Sequence, residues 1–132
     1  MMKRIYTLSF IALTLFSCSN STEVEVGNKT TMLVDLVYDA GKVVKGEVID
    51  ATFEVKNTGK FPLVIGEVSG SCSCTVADKP EEPIAPGETG EIKAHVTTEN
   101  ASPGVISKSV RIVANTEPSM TNTVIKATII GK

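Results

Sequence analysis

Glu47-Val48-Ile49-Asp50-Ala51-Thr52-Phe53-Glu54-Val55-Lys56, followed at once by Asn57-Thr58-Gly59-Lys60, decides the fold class of this chain. Successive side chains of an extended backbone point to opposite sides. Ile49, Ala51, Phe53 and Val55 therefore share one face, and Asp50, Thr52, Glu54 and Lys56 the other. A helix would scatter both sets around its axis, so the segment is a strand with one apolar face. Asn57-Thr58-Gly59-Lys60 then turns the chain, since Asn and Gly tolerate the positive φ of tight turns.

The same period of two recurs on both sides. Phe61-Pro62-Leu63-Val64-Ile65 reads as a second strand with Phe61, Leu63 and Ile65 inward and Pro62 marking an edge or a strand start. Gly66 and Gly70 interrupt its continuation and predict a bulge or bend. Pro86-Gly87 supplies the central residues of a type II turn. Glu91 to Thr97 follows with Ile92, Ala94 and Val96 inward and His95 outward. Val105–Ala114 and Thr121–Ile130 complete the set, with Met32–Tyr38 and Lys42–Lys45 before it. About seven strands in roughly 100 residues is the size and spacing of an immunoglobulin-like sandwich, with a closed eight-stranded barrel as the alternative. The expected domain is 32–132.

What precedes it has a different character. Lys3 and Arg4 lead into the apolar run Ile5 to Phe16, which is shorter than the roughly 20 residues needed to cross a bilayer and reads as an export signal. Leu15-Phe16-Ser17-Cys18 resembles a bacterial lipobox, which makes 1–17 a lipoprotein signal peptide and Cys18 the lipidated residue. The polar stretch 18–31 is then a flexible tether. A membrane partner through Cys18 follows, as does placement in the cell envelope. No acidic run follows Cys18, so by resemblance to Bacteroidetes lipoproteins the expected site is the outer membrane, facing the periplasm.

The 132 residues carry a net charge of −2 with scattered lysines, which leaves no footprint for a polyanion, and no nucleic-acid partner is expected. Catalytic residues are scarce. His95 is the one histidine and lies on an outward face, no nucleophile-elbow pattern is present, and Glu81-Glu82 sit in a proline-punctuated loop. The chain is read as a non-enzyme without a cofactor. With no Trp, and with Phe53 and Phe61 assigned inward, aromatic platforms for sugars are missing as well.

Ser69-Gly70-Ser71-Cys72-Ser73-Cys74-Thr75-Val76 holds the remaining chemistry. In an oxidising compartment Cys72 and Cys74 can pair. In a regular strand, residues two apart have Cα atoms about 6.6–6.8 Å apart and Cβ atoms too distant for a bridge. A Cys72–Cys74 disulfide thus requires a bend at Ser73, in a tight ring that is easier to reduce than an ordinary structural bridge. Two thiolates could instead hold a soft ion such as Cu(I), with Met32 and Met120 as further sulfur donors, or exchange disulfides with a partner. The three readings stay open at this level.

Asn57-Thr58-Gly59, Pro62-Leu63-Val64-Ile65, Cys72-Ser73-Cys74-Thr75 and Pro86-Gly87, in this order, resemble a bacterial envelope family known as a domain of unknown function (DUF number 1573). The resemblance covers about residues 45–130. Ser73 departs from it, since that family more often has Gly between the cysteines. The resemblance implies a lipid-anchored or secreted protein, an immunoglobulin-like (Hydin-like) fold similar to that of cilia and centrosome scaffold domains, and a module that docks an envelope protein.

Overall fold

The computed structural model describes residues 27–131. The segment read as a signal peptide, Cys18 and most of the expected tether lie outside the described residues. Eight strands are described: β1 (Met32–Val34), β2 (Val37–Val44), β3 (Val48–Asn57), β4 (Ile65–Gly70), β5 (Thr75–Asp78), β6 (Thr89–Thr97), β7 (Gly104–Ala114) and β8 (Met120–Ile130). They form two four-stranded sheets, ordered β1-β3-β6-β5 and β2-β8-β7-β4. The fold is the all-β, immunoglobulin-like sandwich that the sequence pattern predicts.

Strand β3 shows why. Its residues alternate exposed and buried along the whole length, ending on buried Asn57. Ile49, Ala51, Phe53 and Val55 meet Ile92, Ala94 and Val96 of β6 on the same inner face. Val110, Ile112, Ile125, Ala127 and Ile129 of the facing sheet close the core. Each fully buried Val, Ile or Phe stabilises the fold by about 1.5–3 kcal/mol relative to its exposed state. The Tyr38 ring meets Phe53 edge-on at 6.1 Å, bringing the sheets together at one side.

Four features differ from the sequence reading, each for a physical reason. The expected strand Met32–Tyr38 divides: β1 pairs antiparallel with β3, whereas β2 crosses to the other sheet and runs parallel to β8. The crossing exchanges one set of ladder partners for another, and the apolar pattern, continuous across it, does not mark the change. Second, Lys42–Lys45 belongs mostly to β2, which continues through a register shift between Asp39 and Lys42. Gly41 has φ 67° there, and its N–H donates to Asp39 Oδ1 at 2.8 Å.

Third, Phe61 is 42% exposed rather than inward. Leu63 is buried but pairs only with Ile84 as an isolated bridge, so regular pairing in this segment begins at Ile65. Fourth, β5 has no counterpart in the sequence pattern, because four residues are too few for a period to register. The expected irregularity at Gly66 is present as a register shift between Ile65 and Glu67. Pro86-Gly87 forms the expected turn, with Gly87 at φ 82° and Glu88 N–H donating to Ala85 O at 3.0 Å.

Asn57 has a role unlike the one its turn motif suggests. It is fully buried, and no non-glycine residue described has positive φ. Its Nδ2 donates to Phe61 O at 2.7 Å and Ile84 O at 2.8 Å. Its Oδ1 accepts from Thr30 Oγ1 at 2.9 Å and from Gly59 N–H at 3.0 Å. Gly59 is required by close approach: a Cβ there would lie 2.1 Å from Thr30 Oγ1 and 2.7 Å from Thr31 N. Asn115 acts similarly on the opposite sheet, accepting from Val64 N–H at 2.7 Å and donating to Pro62 O at 2.9 Å. Thr30, placed in the tether by the sequence pattern, is buried between these two asparagines, its N–H donating to Asn115 O at 2.9 Å.

Candidate functional site

The cysteines occupy the passage from one sheet to the other. Strand β4 ends at Gly70 paired with β7, and β5 begins at Thr75 paired with β6. Between them Thr75 N–H donates to Cys72 O at 3.1 Å, a turn with Ser73 and Cys74 at its centre. Both ends are fixed to the sheets: Ser71 N–H donates to Ser109 O at 2.9 Å, and Thr97 N–H to Cys74 O at 3.0 Å. Gly70 has no room for a side chain, since a Cβ would lie 2.5 Å from Thr75 O.

This turn is the bend that the spacing required. It brings the Cα atoms of Cys72 and Cys74 to 5.2 Å, inside the range of a disulfide, and the two sulfurs are bonded. Ser73 does this without positive φ, so the turn does not call for glycine there on that ground. The soft-metal reading of Cys72 and Cys74 is corrected accordingly: each sulfur is bonded to the other, and neither is a thiolate. Among the described residues, no group of three or more His, Cys, Asp or Glu side chains is placed to hold a metal ion. Of the two methionines considered as donors, Met32 packs against the core and Met120 is exposed.

The bridge is half-buried. Both sulfurs face the Thr75 hydroxyl, at 3.6 Å from Cys72 Sγ and 3.9 Å from Cys74 Sγ. A small cleft of about 110 Å³ opens beside Cys74, lined also by Thr97, Ala101, Ile106 and Lys108.

His95 points outward, as its strand position predicts, with its side chain 45% exposed. Its Nδ1 lies 2.5 Å from Asp50 Oδ1, and its Nε2 4.0 Å from Asp78 Oδ2. Asp50 is directly opposite on β3, and Asp78 lies on β5 across the other side of β6. The sequence reading missed both carboxylates, because cross-strand neighbours appear only once register is known. They flank the imidazole on its two sides. Glu81 and Glu82 are exposed in their loop.

A larger cleft, about 290 Å³, lies where β1 leaves its sheet, lined by Met32, Leu33, Val34, Leu36, Pro118 and neighbouring polar residues. Leu33 and Leu36 are 65% and 57% exposed. Lys29 pairs with Glu117 near this cleft, and the Glu117–Pro118 peptide is cis.

Known structures of similar shape extend across unrelated activities. A Porphyromonas gingivalis protein of unknown function superposes with a TM-score of 0.68 at 20% identity, over 83% of this chain. This chain spans 51% of that protein's length. The ASH/PapD-like domain 7 of human CEP192 superposes with a TM-score of 0.61 at 8% identity, covering 79% of this chain and 88% of that domain. The Vibrio cholerae VesB protease superposes with a TM-score of 0.58 at 12% identity, over 74% of this chain but 31% of the protease. At these identities the likeness is one of fold alone. No protein with curated function matches the sequence. Residues 31–129 do match the sequence pattern of one family, described as "Protein of unknown function (DUF1573)", and the chain belongs to that family.

Proposed function

We propose that this protein is a non-catalytic docking module of the bacterial cell envelope, held to a membrane by lipid on Cys18 and facing the periplasm. The exposed apolar cleft at Leu33 and Leu36 carries this reading. Side chains of that size are left in water at modest cost singly, but grouped around a concave surface they mark a site for another protein. The lipobox ending in Cys18 supports the anchor, and the sandwich supplies a rigid frame. The enzymes of similar shape are matched over a minor part of their length, so they lend no activity to this domain.

Two measurements test the reading together. Cys18→Ala is expected to move the protein from the membrane to the soluble envelope fraction; continued membrane attachment removes the anchor. A photo-crosslinking residue at Leu36 is expected to capture one recurrent envelope protein in living cells, and the same residue at exposed Glu81 to capture none. Equal yields from both positions remove the docking site.

A second reading, thiol exchange, is favoured by the half-buried bridge and the cleft beside Cys74. A partner thiolate would attack one sulfur to form a mixed disulfide, and the other would leave as a thiolate. Intact mass of protein taken from the envelope, alkylated with and without prior reduction, decides it. Exchange predicts a fraction carrying alkylated or partner-linked cysteines before reduction; a fully closed bridge in every molecule removes the reading.

A further inference from the structure

Strand β3 has ten residues, but β1 covers only the last three, Val55, Lys56 and Asn57. The chain then leaves for the other sheet at Asp35 and Leu36, and one side of β3 from Val48 to Glu54 has no strand hydrogen-bonded to it, although β2 of the other sheet passes close by. Which backbone groups face that side follows from the bonds already made. The N–H and C=O of Asn57 engage the Gly87-Glu88 turn on the β6 side, and Glu47 O accepts from Thr98 on the same side. Thr58 N–H donates the other way, to Thr31 O. Backbone direction alternates along a strand, so Asp50, Thr52 and Glu54 present their N–H and C=O groups to the open side.

One of these groups is already met. The Tyr38 hydroxyl donates to Asp50 O at 3.2 Å, at the point where the N–H of a neighbouring strand would lie. Natural sheets cover or blunt such an edge, whereas this one leaves Val48 to Glu54 without a ladder partner on that side.

We infer that the open edge of β3 binds an extended basic segment of a partner protein by strand addition, continuing the line of β1. This rests on the reading of the domain as a docking module and adds the partner's chemistry. Outward side chains set the preference. Asp50, which also meets His95, and Glu54 stand two pleats apart beside the edge, Asp35 marks its end, and Lys56 is the one cation on the same face of β3; all four are exposed. Lys93, opposite Thr52, is balanced by Glu91 at 3.8 Å. In an added strand, residues directly opposite share a face, so cations four positions apart would meet Asp50 and Glu54, with apolar residues between them turned toward Tyr38. Charge argues against two other occupants. A second copy of this edge would bring like charges together, and the chain's own residues before Gly27 carry Glu23 and Glu25.

Two ten-residue probes, one alternating Lys and Val and the other Glu and Val, test the inference on the purified protein. The Lys/Val peptide is expected to slow hydrogen exchange at the amides of Asp50, Thr52 and Glu54 and to bind at least tenfold more tightly than the Glu/Val peptide. Thr52→Pro removes an outward N–H while sparing the β3–β6 ladder, and is expected to abolish that protection. Asp35→Lys/Glu54→Lys changes only exposed carboxylates and is expected to reverse the preference between peptides. The inference is overturned by protection at β2 or β4 instead, by equal binding of both peptides, or by no protection at millimolar peptide. Crosslinking from Leu36 that persists alongside such a result leaves the docking module standing and removes only this edge; loss of Leu36 crosslinks alone has the opposite meaning.

Discussion

Asn57→Ala is expected to destabilise the domain by about 3–5 kcal/mol, seen as a fall in the urea midpoint with little change in slope. The side chain has four hydrogen-bonding positions, and all four are used in a site without water access. Truncation leaves the Phe61 carbonyl, the Thr30 hydroxyl and the Gly59 N–H without these partners at once, while Ile84 O keeps its bond from Leu63 N–H. Each buried group left unsatisfied costs roughly 1–3 kcal/mol, and partial relaxation keeps the total below the sum. For a domain whose whole stability is expected at about 5–15 kcal/mol, this is a large share. Asn57→Asp is expected to be no milder at neutral pH, because a carboxylate cannot donate to Phe61 O and Ile84 O. An Asn57→Asp variant as stable as the parent would show that the donated bonds contribute little.

Phe53→Ala is expected to cost about 3–5 kcal/mol, and Phe61→Ala less than about 1 kcal/mol. The two phenylalanines look alike in sequence, each at an inward position of an alternating run. Phe53 is 1% exposed at the centre of the core and in edge contact with Tyr38, so its removal leaves a cavity between the sheets. Phe61 lies at the surface, with its backbone carbonyl held by Asn57. Thermal denaturation of both variants separates the positions, and equal losses would place Phe61 in the core after all.

That contrast shows what the sequence makes legible. A sandwich strand buries one face, so its period of two survives in β3, β6, β7 and β8, and the inward residues of each follow from pattern alone. Pairing leaves no such mark. Nothing in Met32–Tyr38 announces that the chain changes sheets at Asp35, and four-residue β5 is shorter than the pattern needed to reveal it. Asn57 carries a turn signature, yet its importance lies in segments 27 residues away on either side, Thr30 and Ile84. The cysteine pair was legible in part: spacing and strand geometry require a bend, but not that Ser73 adopts it with negative φ. Asp50 and Asp78 came to His95 through register, which a single sequence does not contain.

The burial of Thr30 between Asn57 and Asn115 also has a mechanical meaning. Tension reaching the domain from its N-terminal side enters at Thr30 and passes into β1. There the Thr30–Asn115 bond, the Thr58–Thr31 bond and the β1–β3 ladder lie side by side. A pull along β1 loads these contacts in shear, so that several must fail together, whereas a frayed end would peel one bond at a time. Resistance to such a pull is a matter of rate, set by the barrier to that joint failure. The first strand, although only three residues long, would therefore meet such a pull with several bonds at once.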